Sequence, residues 1–200
     1  MSKTTGLFLT FTGAVLIVFA LLLTVNNQYE DDLAGQRSED ILTVIKSHIK
    51  PSGAEESPRE PLPAELPVKE LDGNEYVGYL EIPALDLKLP VMNEWDYARL
   101  KTAPCRQSGS SRTDDLVIAA HNYQSHFGRL KELTRGDTVL FTDMEGIVSR
   151  YTVERTEMLE PTALNTVLSS GCELVLYTCT PGGSERIAAF CRREAFAAVN

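Results

Sequence analysis

Between Glu173 and Glu194 the chain reads ELVLYTCTPGGSERIAAFCRRE, so that Cys179 closes an apolar run at a Pro-Gly-Gly turn and Arg186 opens the next run. A residue at a strand end before such a turn lies at a rim that solvent and substrate can reach. By residue type alone Cys179 stays open between a packed core thiol, half of a disulfide and a nucleophile, because free cysteine is among the most buried residue types. A nucleophilic cysteine needs a proton-transfer partner, and the chain has three histidines. His48 falls in a helical stretch and His126 in a polar loop, whereas His121 ends the run Leu116-Val117-Ile118-Ala119-Ala120 and leaves a strand at a rim. A lone strand-end histidine reads as a hydrogen-bonded structural residue. Together with a strand-end cysteine and a following arginine it makes a Cys/His arrangement suited to acyl transfer. Arg186 stays charged at any working pH and can stabilise a thiolate or the oxyanion of a tetrahedral intermediate. Its other reading is a surface charge near a turn. Antiparallel pairing across the turn returns Arg186 to the side of Cys179, while Arg192 and Arg193 fall further along the strand.

The elements that position these residues are short β-type runs separated by turns, at Tyr76–Ile82, Lys88–Met92, Leu116–Ala120, Thr138–Thr142, Ser149–Met158, Glu173–Thr178 and Arg186–Arg192. They predict an all-β fold, a small barrel or sandwich of about seven to eight strands, with helical pieces near Asp96–Thr102 and Pro161–Ser169. Upstream, Pro51–Pro67 carries five prolines with several acids and reads as an extended linker. Ser38-Glu39-Asp40 reads as a helix start with Ser38 as N-cap, leading into the apolar stripe Ile41, Leu42, Val44, Ile45 and Ile49, which is expected to dock on the domain or on a neighbouring chain.

Gly6 to Val25 is about 20 apolar or small residues, the length of a membrane-spanning helix. The run exceeds the usual apolar region of a cleaved signal peptide, and no small-residue cleavage site follows it, so it reads as an uncleaved anchor. Lys3 favours a cytoplasmic N-terminus, leaving the bulk of the chain outside. The expected organisation is a cytoplasmic tail at 1–5, a transmembrane helix at 6–25, a juxtamembrane helix region at 26–50, an acidic Pro-rich linker at 51–75 and a catalytic domain at 76–200. A net charge of −9 argues against nucleic acid as a partner. The four cysteines and three histidines show no zinc-type spacing.

The segments LVLYTC with Arg186 after it, VIAAHNYQSHFGRLKELTRGDTVLF and VGYLEIPALDLKLPV resemble the sortases, membrane-anchored cysteine transpeptidases of Gram-positive bacteria. The likeness covers Tyr76 to the end of the chain. It implies a sortase-like β-barrel with His121 as general acid/base, Cys179 as nucleophile and Arg186 as the oxyanion or substrate-positioning residue. It implies Thr178 as a residue lining the sorting-signal groove. The implied partners are surface proteins bearing an LPxTG-like signal and an amine acceptor, either a peptidoglycan precursor or a pilin lysine. No cofactor is implied, and the sequence gives no support for calcium modulation. The family's Thr-Leu-x-Thr-Cys reads Val175-Leu176-Tyr177-Thr178-Cys179, losing a hydroxyl at a strand-interior position. The linker lacks the Asp-Pro-aromatic lid element common in pilus-building members, which leans the reading towards an anchoring enzyme. A hydrolytic cysteine peptidase with the same residues and a non-catalytic tethered β domain are the alternatives.

Of the remaining cysteines, Cys191 falls opposite Leu174 if Arg186 faces Cys179, two residues from Cys172. That diagonal is marginal against the Cα separation of about 7 Å that a disulfide allows. Packed thiols are expected, with Cys105 a separate loop thiol. A fragment starting near Leu66 is expected to fold and to cleave a sorting-signal peptide by itself.

Overall fold

A computed structural model describes residues 3–49 and 62–194. Its strands are β1 (Lys69–Leu71), β2 (Asn74–Ile82), β3 (Leu87–Met92), β4 (Cys105–Ser108), β5 (Leu116–Ala119), β6 (Thr138–Asp143), β7 (Val148–Leu159), β8 (Leu174–Cys179) and β9 (Arg186–Arg193). They form one sheet in the order β1-β2-β3-β4-β5-β8-β9-β7-β6, and pairing of β6 with β2 closes the eight strands β2 to β9 into a barrel. All seven expected strands occur, with ends shifted by at most two residues. Val77, Leu80, Ile118, Phe127, Phe141, Leu176 and Ile187 pack in the main core inside the barrel.

Two strands lie outside the expectation. β1 has three residues and joins β2 through the left-handed Asp72-Gly73 turn, inside the stretch read as linker. β4 has four residues, pairs with β3 at the single register point Met92↔Cys105 and carries an irregularity against β5. Segments this short and polar show no apolar alternation to detect. Cys105 is therefore a buried strand residue, not a loop thiol.

The helix preceding the barrel is longer than its sequence signals suggest. α1 runs Lys3–His48, so Ser38 sits inside it and caps nothing. Between Val25 and Ser38 there is no proline, and the single glycine, Gly35, costs the helix only about 1 kcal/mol. Met1–Leu33 and Ala34–Asn200 are separate compact units. In the first, apolar side chains from Leu7 to Val25 are exposed around the helix, which is long and apolar enough to cross a membrane. In the second, Ala34, Ser38, Leu42, Ile45 and Ile49 form the buried face. Ile45 and Ile49 pack with Tyr76, Met92, Leu100, Ala103, Cys105 and Ala119 on the outside of the sheet, the docking expected of the stripe, although Val44 faces solvent.

Candidate active site

The sheet register brings three of the expected site residues to one end of three neighbouring strands. β5 and β8 are parallel, with Leu116 opposite Leu174 and Ala119 opposite Tyr177, so the same offset carries His121 to the level of Cys179. Two hydrogen bonds hold the β5 end in place: the Ala120 amide donates to the Tyr177 carbonyl at 3.1 Å, and the Thr178 hydroxyl donates to the Ala120 carbonyl at 2.9 Å. β8 and β9 are antiparallel, with Cys179 directly opposite Arg186. The turn between them is stapled by Thr180, whose hydroxyl accepts from the Glu185 amide at 3.0 Å. Arg186 donates through Nη1 to the carbonyls of Gly183 at 3.1 Å and Glu185 at 3.0 Å, so the turn backbone holds the guanidinium.

Cys179 is half-buried, whereas Cys105, Cys172 and Cys191 are buried, and all four are free thiols. Cys191 faces Leu174, the expected register. Burial pushes the Cys105 and Cys191 thiols up to about 12. Arg192 engages the Gly171 carbonyl at 2.7 Å and the Glu173 carboxylate at 3.3 Å, at the far end of the hairpin from Cys179.

Cys179 and Arg186 border a groove of about 240 Å³. It is lined by Ala119, Tyr177 and Thr178 at the strand ends, and walled by Trp95, Tyr97 and Leu100 from the β3–β4 connection and by Leu159, Pro161 and Val167 from the end of β7 onward. Thr178 is almost wholly buried, so it borders the groove while its hydroxyl ties β8 to β5. The Tyr177 hydroxyl donates to Gln107 Oε1 at 2.8 Å, and burial raises that phenol to about 12. The wall segments are a 3₁₀ turn at Arg99–Lys101 and the helix α2 (Leu164–Leu168), where the sequence predicted helical pieces.

His121 stands outside the groove lining and stacks on Tyr123, with ring centroids 4.1 Å apart. Its carbonyl accepts from the Phe127 amide at 3.2 Å, and Phe127 is fully buried as the loop's anchor. Gly128 closes the loop because a Cβ there would lie 2.6 Å from the Asn122 carbonyl.

The family model for the sortase domain matches residues 80–194. The chain belongs to the sortase family. It is a cysteine transpeptidase, and its barrel is the sortase fold. Sortase C1 of Streptococcus suis is 25% identical over 62% of this chain and 75% of that chain, with a TM-score of 0.52. A Clostridium perfringens sortase C, solved with the C-terminal cell wall sorting motif, is 21% identical over 60% of this chain and 71% of that one, with a TM-score of 0.51. Listeria monocytogenes sortase A is 20% identical over 60% and 88%, with a TM-score of 0.53. No curated protein matches the sequence. Among the described residues of this sortase, no group of three or more His, Cys, Asp or Glu side chains could hold a metal ion.

One histidine departs from expectation. His126 does lie in the loop after β5, but its side chain is completely buried, with Nε2 3.1 Å from the Ser38 hydroxyl on α1. The polar stretch Asn122–Ser125 before it gives no sign of burial, and the Ser38 partner, 88 residues away in sequence, has no local signal. Trp95, Tyr97, Gln107 and Tyr177 were also missed as groove residues, since only the fold collects them.

Proposed function

We propose that this sortase cleaves an LPxTG-like sorting signal between Thr and Gly and transfers the acyl group to a peptidoglycan-precursor amine, attaching surface proteins to the cell wall. The observation that carries the proposal is the register: Cys179 opposite Arg186 on β9 and level with His121 beyond β5. The Cys179 thiolate attacks the threonine carbonyl, and Arg186 stabilises the oxyanion that forms. Collapse breaks the C–N bond, leaves a thioester, and His121 gives its proton to the departing glycine amine. The acceptor amine then attacks the thioester, His121 takes a proton from it, and the thiolate leaves. The C. perfringens relative solved with a sorting motif supports this substrate class.

In this reading residues 6–25 span the cell membrane once, with residues 1–5 inside and the catalytic domain of 76–200 outside, beyond the 26–50 and 51–75 segments. Thr178 acts by holding β8 against the His121 strand end. A pilin lysine as acceptor is the second reading, favoured by the 25% identity to the S. suis sortase C1.

The test uses the full chain in detergent micelles with a peptide containing Leu-Pro-Glu-Thr-Gly and either triglycine or a lysine-bearing pilin-type peptide. Mass spectrometry is expected to find an acyl adduct on Cys179 that triglycine discharges faster than water does. Cys179→Ala is expected to give neither adduct nor product, and turnover in that variant would refute the site. Discharge by the lysine peptide alone would select the pilin reading. Discharge by water at an undiminished rate would leave a hydrolytic peptidase.

A further inference from the structure

The face of α1 that meets the His121–Phe127 loop is built differently from the rest of the docked helix. Further along, Leu42, Ile45 and Ile49 make an apolar seam. Against the loop stand Gly35 and Ser38, both small, next to the buried Ala34. Gly35 approaches so closely that an added Cβ would lie 3.1 Å from Ser125 Cβ. Ser38 is 1% exposed and His126 0%, so both members of the polar pair are out of water. A buried hydroxyl in a helix interior is unfavourable unless its hydrogen bonds are satisfied. Here they are satisfied across elements. The Ser38 hydroxyl lies 3.1 Å from the Thr102 carbonyl and 3.1 Å from His126 Nε2. It has one proton; if that goes to Thr102, His126 must be the donor to Ser38 through Nε2–H.

Both contacts lead to the site. Thr102 ends the 3₁₀ turn whose Leu100, with Trp95 and Tyr97 before it, walls the groove. From His126 a ring contact runs to Tyr123 at 5.6 Å, and Tyr123 stacks on His121 at 4.1 Å. One hydroxyl on α1 thus touches both the turn that carries a groove-wall residue and the loop that carries the proton-transfer histidine.

We propose that Ser38 and His126 are positioning residues for the transfer reaction: the buried bond between them clasps the His121 loop to α1 and sets His121 over the strand end that carries Cys179. The proposal rests on the reading of His121 as the proton-transfer residue. The small Gly35 and Ser38 let the loop seat, and α1 from Ala34 onward belongs to the catalytic unit.

The experiment compares Ser38→Ala, His126→Phe, His126→Gln, Gly35→Ala and His121→Ala in the full chain in detergent micelles. The probes are a Leu-Pro-Glu-Thr-Gly peptide with triglycine and, independently of any sorting motif, iodoacetamide alkylation of Cys179. Ser38→Ala and His126→Phe are expected to lower kcat about 10- to 100-fold, the scale of a small misplacement at a reacting centre, with KM within about twofold. Cys179 alkylation is expected to slow in the same order. His126→Gln, which restores an N–H donor near the Nε2 position, is expected to recover most of the loss relative to His126→Phe. Gly35→Ala strengthens the helix yet presses on Ser125, so kcat is expected to fall while Tm does not. The emission of Trp95, the only tryptophan, is expected to shift in the clasp variants.

Wild-type kcat in folded Ser38→Ala and His126→Phe, or equal losses in His126→Phe and His126→Gln, would overturn the clasp. If those variants do not fold, wild-type kcat in Gly35→Ala overturns it. A dead His121→Ala beside a normal Ser38→Ala rejects the clasp alone, whereas an active His121→Ala rejects the reading of the site itself.

Discussion

The barrel end that carries Cys179 and the barrel face covered by α1 are organised by different physics. At the strand ends, half-buried residues on adjacent strands are brought together by backbone register, with Cys179 opposite Arg186 and His121 level with both. Under α1, a polar pair 88 residues apart in sequence and an apolar seam are joined by side-chain contacts, not by a strand ladder. Register follows from a short turn and from alternation, so its outcome can be derived from neighbouring residues. Packing between distant segments depends on the shape of both surfaces, and no local pattern reports it. The strand ends can therefore tolerate changes in the surrounding core that keep the ladder, whereas the α1 face fails when either surface is altered.

The largest effect that sharpens this contrast is expected at Arg186. Arg186→Lys keeps the charge but loses the planar fork of donors, and removal of one such oxyanion donor typically costs about 10²–10³ in rate. Arg192→Lys, at the Gly171 end of the hairpin, is expected to leave turnover of a sorting-signal peptide close to wild type. A reversal of these two results would show that the register does not define the site.

Next in size is the loss of α1 packing. A fragment beginning near Leu66 was the natural minimal domain on sequence grounds, but it lacks Ile45 and Ile49 and would leave Tyr76, Met92, Leu100 and Ala119 uncovered. It would also lose the Pro63 and Glu65 carbonyls that accept from Arg112 at 3.5 and 3.4 Å. Such a fragment is expected to melt well below a chain starting at Ala34 and to turn over peptide more slowly. In the full chain Ile45→Ala is expected to cost about 2–5 kcal/mol by denaturant unfolding, while exposed Val44→Ala costs little. Equal melting of the two fragments would make α1 a spacer.

The same division explains what could be read from residues alone. The β8–β9 hairpin, its Cys179↔Arg186 pairing and the Leu174↔Cys191 pairing follow from the turn and from antiparallel geometry, and so were legible. β4 was not, because Cys105-Arg106-Gln107-Ser108 joins the sheet through one pair with β3 and a bulged ladder with β5. Ser38 imitated an N-cap because serine before acids is the usual start signal, yet the hydroxyl that normally caps a helix is here spent on Thr102 and His126. His126 is a loop histidine as read, but its burial was not legible, because burial of a polar side chain is announced only by its partner.

The smallest predicted effect lies with the packed thiols under α1 and inside the barrel. Burial raises Cys105, under α1, and Cys191, inside the barrel, from 9.0 to about 12. In the unfolded chain both ionise near the ordinary value, so between about 9 and 12 the folded state holds protons that the unfolded state has lost. Stability from keeping these groups neutral is full below about 9 and is lost as pH rises through about 12, which means unfolding becomes easier with alkali. Tyr151 and Tyr177, raised from 10.0 to about 12 by burial, add to the slope at its upper end. Each group contributes at most about 1.4 kcal/mol per pH unit. Under reducing conditions the unfolding free energy, followed by Trp95 emission, is expected to fall more steeply with pH in the wild type than in Cys191→Ala. The cavity left by that substitution lowers the whole curve, so the slope rather than the height is the measure. Cys105→Ala, under α1, is expected to flatten the slope in the same way; a slope that neither substitution changes would show that packing does not hold these thiols neutral.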